Sequence, residues 1–75
     1  MELHHWSYKD EYLEDVFILS VKKHRKFHKF LIFVPEHKMF KTLSGELLDS
    51  CKKHNDYYSS IFSELMIKAS IKNTK

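Results

Sequence analysis

Residues 15–34, DVFILSVKKHRKFHKFLIFV, admit two structures, and the choice between them sets the fold class. One is a β-hairpin. "DVFILSV" and "FLIFV" are rich in β-branched and aromatic residues, as strands are, and "KKHRK" is then the turn. That turn holds no Gly, Asn, Asp or Pro, which is poor chemistry for a tight hairpin.

The other structure is a helix. Leu13, Val16, Phe17, Ser20, Val21, His24, Phe27 and Leu31 recur at helical spacing and share one side at ~100° per residue. Lys22, Arg25, Lys26 and Lys29 fall on the opposite side. Ser7 with Asp10 resembles a capping box at its start. The spacing therefore predicts a first helix over about 8–30. Ile18, Leu19 and Phe30 fall off its apolar stripe and need a second covering surface, in the domain or on a partner chain.

Downstream, Phe40, Leu43, Leu47 and Cys51 are spaced by 3, 4 and 4, with Met39 and Leu48 adjoining. Pro35 suits a first helical turn, and Ser44-Gly45-Glu46 interrupts the pattern, so a helix is expected at 45–54. Tyr57, Tyr58, Ile61, Phe62, Leu65, Met66 and Ala69 form an amphipathic stripe, with Asn55 or Asp56 as its cap. They predict a last helix over about 56–71. The expected fold is all-α, a compact three-helix bundle. The alternative is α+β, with an N-terminal β-hairpin and two C-terminal helices.

Composition sets the outer bounds. The 75 residues suit a single small domain over 1–75, with little room for both a core and a deep catalytic pocket. Hydrophobic residues make up 43% and charged residues 31%, the balance of a globular chain rather than a disordered one. The single Gly excludes Gly-rich phosphate loops, and no GxSxG is present. We expect no enzyme activity, no catalytic residue and no cofactor. Cys51 is the only cysteine, so no disulfide forms within one chain. It reads as a small apolar residue in a reducing setting. No apolar run approaches the ~20 residues of a membrane span, and the N-terminus lacks a signal peptide's apolar region. A soluble, intracellular, cytoplasmic protein is expected.

The charge is uneven. Residues 2–15 carry Lys9 against Glu2, Asp10, Glu11, Glu14 and Asp15, an acidic group read as a solvated first helical turn rather than a cation site. Residues 22–41 carry seven cations against Glu36. Within "KKHRKFHK", Lys22, Lys23, Arg25, Lys26 and Lys29 make a ridge with no compensating carboxylate. Such a ridge neutralises phosphates without reading sequence. The expected function is thus a small, non-enzymatic, basic nucleic-acid-binding accessory protein. It would hold DNA or RNA for a larger processing machine, with Trp6 as a stacking residue. The alternative is a protein–protein interaction module, a small regulator or inhibitor of a larger protein, using Ile18, Leu19 and Phe30 as its apolar contact.

Six histidines are many for this length. His24 and His28, at i and i+4, have metal-chelating spacing, and Cys51 with His54 would complete a set of four zinc ligands. No CxxC or HExxH supports that set, so no metal is expected. His24 is instead assigned to the core edge and His28 to the basic surface.

Overall fold

The computed structural model describes residues 1–69. It is α+β, with six strands in two antiparallel sheets and two helices among those residues. The three-helix bundle is thereby corrected. The α+β alternative is nearer, but its hairpin is not formed either.

The reason lies in 15–34. Val16–Leu19 is strand β2, with β1 (Glu2–His5) on one side and the C-terminal strand, β6 (Ile67–Ala69), on the other. Four apolar residues in a row wrap most of the way around a helix, so no single helical face buries them. In a central strand both faces are covered, and Val16, Phe17 and Leu19 are all buried. Ser20 then ends the strand. Its backbone is extended, and its side-chain oxygen accepts the Lys23 N–H at 3.2 Å, which caps helix α1 (Val21–His28). The expected first helix is therefore three elements: a 3₁₀ turn at Asp10–Tyr12, β2 and α1. Ser7 begins no helix. Its hydroxyl accepts from Lys9 N–H and donates to Lys38 C=O.

Leu31–Val34 is strand β3, as the hairpin alternative supposed, but it pairs with β4 (Met39–Thr42) and not with β2. Pro35 sits in the β3–β4 turn. Its carbonyl accepts from Lys38 N–H, and Lys38 takes a left-handed conformation, φ 54°. The short β5 (Leu47–Leu48) completes the second sheet in the order β3-β4-β5. An isolated bridge, Ser7 to Met39, links the two sheets.

The two expected C-terminal helices are one, α2 (Cys51–Phe62). Ser50, not Asn55 or Asp56, is its cap and accepts from Lys53 N–H at 3.1 Å. The helix stops at Ser63, φ 59°, so the apolar stripe beyond Phe62 serves β6 instead. Asn55 has another task. Its side chain accepts from Met66 N–H at 2.7 Å and guides the chain back to the first sheet. The end of the expected last helix, 70–71, lies outside the described residues.

Phe27 from α1, Tyr58 from α2 and Phe17 from β2 are fully buried at the centre, joined by Trp6, Leu19, Met39 and Met66. Tyr57 of α2 donates its hydroxyl hydrogen bond to Phe30 C=O at 2.8 Å and so ties α2 to the α1–β3 junction. Helix α1 lies across this core with one side in solvent and one side against β1.

Candidate functional site

Helix α1 carries both candidate surfaces, and its two sides carry different chemistry. The outer side holds the basic ridge. Lys22, Arg25, Lys26 and Lys29 line an open groove of about 700 Å³ together with Val21 and Phe30. None of these four cations has a carboxylate within ion-pair distance among the described residues, though Lys26 lies 5.6 Å from the Phe62 ring centroid.

Lys23, placed in the same ridge by sequence, has left it. Its Nζ binds Glu64 at 2.6 Å, which holds the Glu64 carboxyl below the usual range. Glu64 also accepts from the Tyr58 hydroxyl, whose pKa is pushed up to about 12 by burial and by that carboxylate. Trp6 is only 2% exposed and donates its indole N–H to Asp15 at 3.1 Å, so it has no free face for a base. Of the supposed apolar contact, Leu19 is core, Ile18 lines a smaller cavity of about 170 Å³, and Phe30 alone reaches the groove.

The inner side of α1 gathers imidazoles. His24 and His28 point toward His4 of β1, and their ring centroids lie 5.0 and 5.1 Å from that of His4. His4 Nδ1 is 3.1 Å from His24 Nε2, and His28 Nε2 is 3.1 Å from the same His24 atom. Behind them, His54 of α2 meets His4, Nε2 to Nε2, at 2.7 Å. In front, Glu2 accepts from His24 Nδ1 at 2.7 Å. Phe27 and Phe40 flank the His4 ring.

The set weighed from spacing was His24, His28, Cys51 and His54; the structure brings the three histidines to His4 and leaves Cys51 out. Cys51 stands apart, half-buried, with burial raising its thiol pKa and Lys68 Nζ 3.7 Å from its sulfur. His4 had no local signal. It reaches the cluster because the β1–β2 register sets it opposite Phe17, next to the start of α1.

Burial sets the electrostatics of this inner side. His4 is lowered to about 2, first by burial and then by the charges that His54, His28, His24 and His5 would carry. His54 is lowered to about 3 by burial and by His28, and His28 is lowered by burial and by His24. These rings are held neutral at physiological pH, so each keeps a lone pair. The expectation that His28 adds positive charge to the ridge meets this opposing field. Of the acidic group, Asp10 and Glu11 stay in the first turn of the 3₁₀ segment, while Asp15 is engaged by Trp6 and Lys68.

No helix among the described residues is long and apolar enough to cross a membrane. No protein-family model matches the chain, and comparison with curated proteins and with solved structures found no match either, so the chemistry of both sides of α1 rests on the residues themselves.

Proposed function

We propose that the protein is a protein-interaction module, a small regulator that holds an acidic segment of a larger protein in the α1 groove. The observation that carries this reading is the pairing of an apolar floor with an unpaired basic rim. Val21 and Phe30 line the groove, and Lys22, Arg25, Lys26 and Lys29 surround them. A phosphate backbone would use the rim and leave the floor empty. An acidic segment with one exposed Leu or Phe uses both, with charge steering the encounter and the apolar side chain slowing release.

Helix electrostatics support a role outside stability. Arg25 and Lys26 lie in the last turn of α1, where cations complement the helix dipole. Lys22 lies in the first turn, where a cation opposes it, and no carboxylate offsets it among the described residues. Local stability alone would not favour Lys at that position.

Fluorescence anisotropy with three labelled probes tests this reading: a Glu-rich peptide bearing Leu and Phe, the same peptide with both replaced by Ser, and a single-stranded oligonucleotide. The first should bind best, lose at least about tenfold when its apolar residues are removed, and lose binding to Lys22→Glu/Arg25→Glu/Lys26→Glu. Equal binding of both peptides would overturn the apolar floor. Preference for the oligonucleotide, with log K falling by ~0.7–0.9 per phosphate contact against log salt, would overturn the protein partner.

A further inference from the structure

The inner side of α1 has a hydrogen-bond problem that three histidines cannot solve among themselves. A carboxylate only accepts, so the His24 Nδ1 that meets Glu2 at 2.7 Å is the donor. In neutral His24, Nε2 is then a bare nitrogen with one in-plane lone pair. Two donors claim it, His4 Nδ1 and His28 Nε2, each at 3.1 Å. Protonating His24 reverses the direction without removing the conflict, because one N–H then faces two acceptors. One contact is unmade in either state.

A cation at the common point resolves both contacts. The ligand atoms of His4, His24 and His28 lie within 4.8 Å of one another. Nitrogens bound tetrahedrally to zinc at ~2.0–2.1 Å sit about 3.3–3.4 Å apart, close to the 3.1 Å that separates His24 Nε2 from each of the other two ligand atoms. The outer contacts are those of a metal site. Glu2–His24 forms the carboxylate–histidine pair that fixes Nδ1–H and leaves Nε2 free for a metal. His4 Nε2–H can donate to His54 at 2.7 Å, which frees Nδ1 in the same way.

His54 supplies an independent observation. It is fully buried, its Nδ1 has no partner, and its one hydrogen bond among the described residues is to His4. Burying an imidazole with an unpaired nitrogen is unfavourable, and its only polar contribution here is to orient His4.

We infer that His4 Nδ1, His24 Nε2 and His28 Nε2 form a binding site for a divalent metal ion of the zinc class, with Glu2 and His54 as positioning residues. The donor set is all imidazole, which suits zinc and its neighbours rather than calcium or magnesium. His28 is the solvent-side ligand, so a fourth coordination position opens outward for water or a small anion. The site spans β1 and α1, so metal binding clamps the helix that carries the groove to the first sheet. The inference does not depend on the groove's occupant.

Zinc itself is the probe. Isothermal titration of the metal-free full chain with ZnCl₂, against a competing chelator, should give one equivalent bound at micromolar affinity or tighter. His28→Ala removes an exposed ligand without opening the core and should weaken binding at least tenfold. Glu2→Gln should weaken it by ~10–100-fold, the range for an outer partner of a ligand histidine. His37→Ala, in the exposed β3–β4 turn, and Cys51→Ser should leave it unchanged. X-ray absorption of the loaded chain should show nitrogen and oxygen neighbours and no sulfur. Absence of stoichiometric binding, indifference to His28→Ala, or a sulfur ligand would each overturn the site.

Discussion

The two sides of α1 have nearly the same sequence origin and opposite physical character. Lys22, Arg25, Lys26 and Lys29 stand in solvent, whereas His24 and His28 face His4 and a wall of aromatic rings. Within one eight-residue helix, the cations turned outward line the proposed groove. The imidazoles of His24 and His28 turn toward His4 and form the candidate metal site. The lesson is that the direction a side chain faces, more than its distance along the chain, separates these roles. A basic octapeptide is one surface by composition and two sites by packing.

The most severe way to break the contrast is to remove what separates the sides. Phe27 is fully buried between them. Phe27→Ala should cost about 3–5 kcal/mol, much of the ~4–11 kcal/mol available to a domain of this length. Urea unfolding measures the loss, and both zinc and peptide binding should fall together.

Acid should act on the inner side alone. His4 and His54 have folded pKa values of about 2 and about 3, below the ordinary imidazole value of 6.5 that applies to the unfolded chain. The unfolded state therefore binds protons first. Their contribution to stability is intact above pH 6.5 and erodes as pH falls below it, by up to about 1.4 kcal/mol per pH unit for each residue. Urea midpoints of the chelator-treated protein from pH 7.5 to 4.5 should show this decline, and His54→Leu should make it shallower by one proton. A flat profile would mean that the rings are not held neutral.

Smaller effects sharpen the comparison. Ser20→Ala removes the cap that starts α1 and should lower stability by about 1 kcal/mol in the same urea assay, with no change in the relative affinities of the two sides. Lys23→Gln should be milder still. It breaks only an exposed contact to Glu64, so anisotropy should show peptide binding unchanged, whereas Lys22→Gln should weaken it. If the two lysines behave alike, the ridge is a diffuse charge and not the groove described here.

Much of this was visible in the residues, though often under another interpretation. Both apolar runs of 15–34 are strands, as their β-branched and aromatic content suggested, and "KKHRK" does connect them. It connects them as a helix between two different sheets, because Ser20 supplies a cap that the hairpin reading ignored. The helical stripe through 13–31 was real arithmetic with no helix under most of it, since strands covered on both faces can satisfy the same positions. Pro35 was read as a helix start but serves a turn, where its fixed φ is equally at home.

Charge density, the four-residue spacing of His24 and His28, and the apolar character of Val16–Leu19 are local properties, and they follow from residue order alone. The partners of those residues are not local. His4 lies 20 positions from His24 and 50 from His54. No spacing rule spans such gaps, and only the β1–β2 register and the seating of α2 close them. The division of the octapeptide into an outer basic side and an inner imidazole side is likewise a tertiary outcome. Protonation follows desolvation, and desolvation is set by which elements pack across the helix.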